Sequence, residues 1–143
     1  KIKEAEEKAS RYNIAFRAYP LTMGEVFVCE ENPLANIYIS SDSYVSPCVY
    51  LNFPVQSIPR IFCGKNCAVK RTYFGNIARE DLFDIWNKEE YREFRQKYTR
   101  RAELLRNISL GFDDIQKIRE RMEKLREAPF PEVCKTCYRA YGI

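Results

Sequence analysis

Asn36-Ile37-Tyr38-Ile39-Ser40, Ser41-Asp42-Ser43 and Tyr44-Val45-Ser46-Pro47-Cys48 follow one another without a break, and their reading decides the fold. Two β-rich runs flank three small turn-forming residues, which is the composition of an antiparallel hairpin. The second run continues to Tyr50 and is expected to carry Cys48 on its strand.

Outward from the hairpin the chain alternates loops with helical patterns. Downstream, residues 51–67 contain Pro54, Pro59 and Gly64, which predicts a long irregular connection. Gly75-Asn76 predicts a turn, followed by a short helix from about Glu80 to Trp86. Asn87 is expected to cap the next helix, with Glu90 completing a capping box. Tyr91, Phe94, Tyr98, Ala102 and Leu105 then recur at helical spacing, and after Gly111 so do Phe112, Ile115, Ile118, Met122 and Leu125. Two such apolar stripes are the signature of core packing and not of a cofactor box. Pro129-Phe130-Pro131 leads into Cys134-Lys135-Thr136-Cys137.

Upstream, Ile2, Ala5, Ala9 and Tyr12 mark one face of a helix over residues 1–12. Asn13 tolerates the left-handed conformation that ends helices. Ile14-Ala15-Phe16-Arg17-Ala18-Tyr19 is a predicted strand stopped by Pro20, and residues 21–35, with Cys29, are a predicted loop. Helix, turn and strand form the half-unit of a parallel α/β protein. The chain opens within a helix and without methionine, so residues 1–20 are expected to be the end of a larger domain and residues 21–143 a second one. The fold class expected for the latter is α+β: a β-hairpin plus helices around a cysteine-ligated metal site.

Composition narrows the function. The 143 residues are 45% hydrophobic and 31% charged, which describes a globular domain. No apolar run approaches the ~20 residues that span a bilayer, and the alternating charges of Lys1–Ser10 are unlike a secretory signal. No membrane association and a cytoplasmic location are therefore expected. Residues 61–143 carry 18 Lys/Arg against 13 Asp/Glu, alternating in sign along helices. That pattern is a solvated helical face, and neither a dense basic stripe nor an aromatic signature for nucleic acid accompanies it.

Histidine is absent, whereas cysteine occurs six times. A metal site must then be built from Cys, Asp or Glu. Three readings of the cysteines compete: a disulfide scaffold, disfavoured without a secretory signal; structural zinc; and an iron–sulfur cluster. Cys134-x2-Cys137 is the sharpest local motif, since a two-residue spacer turns both sulfurs toward one centre. A thioredoxin-type redox pair is disfavoured because Pro131 and a polar lead-in replace the strand that would precede it. Cys29 and Cys48 flank the hairpin, and Cys63-x3-Cys67 is the competing pair.

The order of these pieces resembles the SPASM/twitch domains that follow the barrels of radical S-adenosylmethionine (radical SAM) enzymes. The resemblance runs over about residues 24–138. It rests on the hairpin ending in Val45-Ser46-Pro47-Cys48, on Gly75-Asn76-Ile77, Glu80, Leu82 and Ile85-Trp86-Asn87, on Tyr91 and Phe94-Arg95, and on the closing Cys134/Cys137 pair. The family's turn glycine is replaced by Ser43. The resemblance implies one auxiliary 4Fe–4S cluster on Cys29, Cys48, Cys134 and Cys137, serving electron transfer. The alternative is a zinc-stabilised, non-catalytic interaction domain on the same residues.

The resemblance also implies that residues 1–20 are the last helix and strand of a truncated radical SAM barrel. S-adenosylmethionine and a second 4Fe–4S cluster are expected only in that barrel, as is the peptide or small-molecule substrate. The catalytic C-x3-C-x2-C motif is missing, because Lys70 stands where a third cysteine would follow Cys63 and Cys67. The chain alone is thus expected to be an inactive part of an oxidoreductase, with no catalytic residue of its own. Cys63 and Cys67 are read as spare thiols, able to pair when oxidised. Tyr44, Tyr50, Phe53 and Phe62 are read as cover for the cluster, and Lys65, Lys135 and Arg139 as nearby positive charge.

Overall fold

A computed structural model describes residues 1–18, 22–106, 120 and 123–143. The architecture is α+β, with small sheets and helices packed on one aromatic core. The predicted hairpin forms, though its strands are short: β1 (Tyr38–Ile39) pairs antiparallel with β2 (Tyr44–Ser46), placing Tyr38 opposite Ser46 and Ile39 opposite Val45. Ser43 closes the turn at φ 66°, a left-handed conformation that glycine adopts more readily. Side chains compensate. Ser40 Oγ donates to Asp42, Arg71 donates to both Asp42 carboxylate oxygens at 2.8 and 2.7 Å, and buried Asn52 donates to Ser40 Oγ and to the Tyr44 carbonyl.

Cys48 lies two residues beyond β2, not on it. It adopts an extended conformation at the start of a single 3-10 turn, Val49–Leu51. Pro47 before it has no N–H to donate, so the ladder stops at Ser46.

Residues 51–67 are not irregular throughout. β3 (Ser57–Phe62) and β4 (Lys65–Lys70) form a second antiparallel hairpin over six paired positions, from Ser57–Lys70 to Phe62–Lys65. Its two-residue turn, Cys63-Gly64, has φ of 49° and 73°. Positive φ at both central residues is the turn geometry that matches the twist of a hairpin. Pro59 is accommodated because a two-stranded sheet leaves one edge of each strand unpaired.

Gly75-Asn76 also departs from the expected turn. It is β5 (Gly75–Asn76), the third strand of the first sheet, in the order β1-β2-β5. A methyl group on Gly75 would lie 2.6 Å from Ile85 Cγ1, so glycine is needed for the helix to approach the sheet. That helix, α2 (Leu82–Asn87), is capped by Asp81, which accepts from the Phe83 N–H. Asn87 is its last residue and not the cap of the next helix; its side-chain amide donates back to the Phe83 carbonyl. Lys88 makes the break before α3 (Glu89–Arg106).

The face of α3 predicted from spacing is the core face at its first three positions. Tyr91, Phe94 and Tyr98 are buried, whereas Ala102 is half-buried and Leu105 is 46% exposed. Phe74 stacks on Tyr91 with centroids 4.3 Å apart, and Trp86 meets the same ring edge-on at 5.2 Å. Full burial of such rings supplies roughly 2–3 kcal/mol each from area alone. The second stripe lies mostly outside the described residues; residues 123–127 are helical and Leu125 is buried.

At the other end, α1 (Ile2–Arg11) forms as expected, with Asn13 in the left-handed region at φ 53°. No residue of α1 is buried. The predicted strand does not form over residues 14–18, where Ile14 is 63% exposed. A lone strand has no ladder partner for its backbone groups, and none is supplied by the described residues. No helix among the described residues is long and apolar enough to cross a membrane.

Candidate metal centre

Two backbone hydrogen bonds dock the segment leading to Cys29 onto the C-terminal tail: Gly24 N–H to the Tyr141 carbonyl and Val26 N–H to the Ala140 carbonyl. Cys134 ends one 3-10 turn (Glu132–Cys134) and Cys137 precedes another (Tyr138–Tyr141). The Cys137 N–H donates to the Cys134 carbonyl at 3.0 Å, closing the two-residue spacer into a tight turn. Cys48 reaches the same place from the first hairpin. Cys29, Cys48, Cys134 and Cys137 consequently line one cavity, together with Glu31, Tyr50, Leu51, Arg60, Tyr98, Arg139 and Ala140. Among the described residues, no group of three or more Cys, Asp or Glu side chains lies close enough to hold a single metal ion.

Burial and mutual proximity govern the thiols. Desolvation raises the Cys29 thiol and pushes Cys134 up to about 12. Cys48 rises furthest, through desolvation first and then the neighbouring charges that Cys134, Cys29 and Cys137 would carry. Burial thus favours the protonated thiols of Cys29, Cys48 and Cys134, and a metal centre would release their protons. Local groups already favour the anionic sulfurs. The backbone amides of Glu31 and Asn32 act on Cys29, the amide of Tyr50 acts on Cys48, and the Tyr98 hydroxyl acts on Cys29 and Cys134. By donor type, four soft thiolates of this kind fit an iron–sulfur cluster, which sets of four cysteines commonly hold; zinc takes the same donors, although the described side chains do not close on a single ion.

The wall contains residues that spacing alone did not single out. Arg60, on β3, donates to the Val133 carbonyl at 2.8 Å and to the Tyr50 carbonyl at 3.0 Å, tying the Cys134 segment to the Cys48 segment. Arg139 lines the cavity as expected, donating to the Tyr50 hydroxyl and to Glu30. Neither Lys65 nor Lys135 lines it; Lys135 pairs with Glu132 at the surface. Tyr98 is 1% exposed, and its hydroxyl stands 3.9 Å from Cys29 Sγ. Of the four aromatic residues expected as cover, Tyr50 alone lines this cavity. Phe62 packs on Tyr138 and Tyr141, Tyr44 on Tyr73, and Phe53 lines a neighbouring groove.

Behind the wall, Arg101 is fully buried. Its guanidinium donates to the carbonyls of Phe27, Val26 and Ala128, pairs with Glu25 at 2.9 Å and lies 3.5 Å from the Phe130 ring centroid. It fastens α3 to the segments preceding Cys29 and Cys134. No spacing pattern flags it, because an arginine in a helix ordinarily faces solvent.

Cys63 and Cys67 stand apart from the four. Cys63 is exposed at the turn of the second hairpin, where its N–H donates to the Tyr138 hydroxyl; Cys67 on β4 pairs with Arg60 on β3. Both are free thiols, with no disulfide between them.

No curated protein and no solved structure matches the chain. One protein-family model does, over residues 29–107, more than half of the chain, and it is the SPASM iron–sulfur cluster-binding domain. The match opens on Cys29, takes in Cys48, and ends before Cys134 and Cys137, which the fold returns to the same cavity. By that match the chain belongs to the SPASM family of iron–sulfur cluster-binding domains.

Proposed function

We propose that this chain is the auxiliary-cluster, electron-transfer region of a cytoplasmic radical SAM enzyme. In this reading Cys29, Cys48, Cys134 and Cys137 hold one 4Fe–4S cluster, and residues 1–20 complete the barrel that precedes the domain. S-adenosylmethionine, a second 4Fe–4S cluster and a peptide or small-molecule substrate belong to that barrel, which is also the domain's partner. The observation that carries the proposal is the convergence of four cysteines, separated by up to 108 positions between Cys29 and Cys137 (137 − 29), on one cavity. Membership of a cluster-binding family supports it independently.

Such a cluster supplies one-electron transfer when bound. The chain's own residues do the rest. Four thiolates leave no ligand position for substrate, which favours relay over direct catalysis. Leu51 and Ala140, both nearly inaccessible, keep water from the sulfurs. Arg60 and Arg139 set positive charge beside a group that would be anionic, and the amides of Glu31, Asn32 and Tyr50 favour the ligating thiolates. The exposed α1 and Ile14 are the surfaces a preceding barrel would cover.

Anaerobic reconstitution with ferrous iron and sulfide tests the reading. About four iron and four sulfide per chain are expected, with broad visible absorption lost in Cys134→Ser. A colourless protein that retains zinc and refuses iron and sulfide would sink the proposal in favour of a zinc-stabilised interaction domain.

A further inference from the structure

The ring of Tyr98 is fixed between Phe94 and Phe130, with centroids 5.7 and 5.6 Å away. For packing alone, phenylalanine would serve. The hydroxyl is buried, and its partners among the described residues are the sulfurs of Cys29, at 3.9 Å, and Cys134. A thiol is a weak acceptor and a weak donor, so the hydroxyl is poorly repaid while the cysteines stay protonated. Ligation changes that. A metal-bound thiolate has no proton to give and becomes a charged acceptor, so the phenol must be the donor.

We propose that Tyr98 is a positioning residue that sets the reduction potential of the metal centre by donating its O–H to ligand sulfur, chiefly that of Cys29. This inference rests on the cluster reading above. An electron added to a cluster increases the negative charge on its ligand sulfurs, and a donor aimed at sulfur stabilises the reduced state more than the oxidised one. Removing the donor lowers the potential. Tyr91 provides an internal comparison. It lies on the same face of α3 and is equally buried, but its hydroxyl donates to the Ser46 carbonyl oxygen at 3.5 Å.

The experiment compares the 143-residue wild-type chain, Tyr98→Phe and Tyr91→Phe, each reconstituted anaerobically with ferrous iron and sulfide. Iron and sulfide content are measured, then the potential by redox titration followed with electron paramagnetic resonance. Equal content is expected in all three. Tyr98→Phe should shift the oxidised-to-reduced equilibrium about tenfold toward the oxidised form, which is about 59 mV lower for one electron, and Tyr91→Phe should match wild type. A Tyr98→Phe potential equal to or above wild type overturns the inference. So does an equal fall in Tyr91→Phe, which would mark a general packing effect. Loss of the cluster from Tyr98→Phe alone also overturns it, since the residue would then retain the centre and not tune it. A wild-type chain that takes up no iron and sulfide removes the cluster reading and this inference together. A loaded chain indifferent to Tyr98 removes only the inference.

Discussion

Replacing Arg101 with methionine, which keeps much of the side-chain volume but none of the donors, should destabilise the fold by about 4 kcal/mol. Three backbone carbonyls, of Val26, Phe27 and Ala128, accept from one buried guanidinium, which also pairs with Glu25. A hydrogen bond from a charged donor contributes about 1.5–3 kcal/mol, but the three share one desolvated ion and do not add in full. Burial lowers the guanidinium's own pKa, with Glu25 partly offsetting this, so desolvation already subtracts from the gain. Glu25 is partly exposed and can rehydrate when its partner is lost, whereas the three carbonyls lose a donor group that is itself fully buried. Loss of one member of such a network falls in the range of about 3–5 kcal/mol. Against a typical domain stability of about 5–15 kcal/mol that is a large share. Urea unfolding followed by far-ultraviolet circular dichroism would measure it. A loss below about 1 kcal/mol would mean that water satisfies those carbonyls, and that Arg101 does not fasten α3 to the cysteine-bearing segments.

Gly75→Ala forces a methyl to within 2.6 Å of Ile85 Cγ1; a cost of about 1–3 kcal/mol is expected, and an unchanged thermal midpoint would contradict the close approach of α2. Ser43→Gly should raise the midpoint by a few degrees, since φ 66° burdens serine by about 1 kcal/mol; a lower midpoint would show that the Ser43 side chain contributes more than the strain removes. Asp42 is held below its usual value of 3.8 by the Ser40 hydroxyl first and by Arg71 second. Its contribution to the hairpin is therefore fully present above that value and is lost as the pH falls through the lower folded-state value. Asp42→Asn should remove this acid sensitivity and loosen the hairpin already at neutral pH, because the charged partner of Arg71 is gone. Proton-exchange rates of the Ser43 and Ile77 amides, bonded to the Ser40 and Ser43 carbonyls, would report it, and equal rates in variant and wild type at neutral pH would refute the role of the Asp42 charge.

Local pattern was informative for a good part of the fold. The first hairpin was legible because its composition and its turn lie within thirteen consecutive residues (36–48), and the Tyr91/Phe94/Tyr98 face because helical spacing is fixed by backbone geometry. The four cysteines were singled out by family resemblance and by the short spacer of Cys134 and Cys137, and no local rule linked the latter to Cys29 or Cys48. The second hairpin was hidden behind Pro54, Pro59 and a Cys63-Gly64 turn, where cysteine at positive φ is an uncommon turn former. Asn87 resembled a cap because sequence shows a side chain's chemistry but not which end of a helix break it occupies.

What surrounds the sulfurs came from packing. Arg60, Tyr98 and Arg101 reach groups 10 to 76 positions away in the chain, and a side chain's partner at such a distance is set by how the segments between them pack. Sequence specified which residue types were available and the short-range elements that carry them. The dry cavity, its positive wall and the phenol at Cys29 exist only once those elements close on one another, because desolvation and through-space contact depend on separation in space and not along the chain.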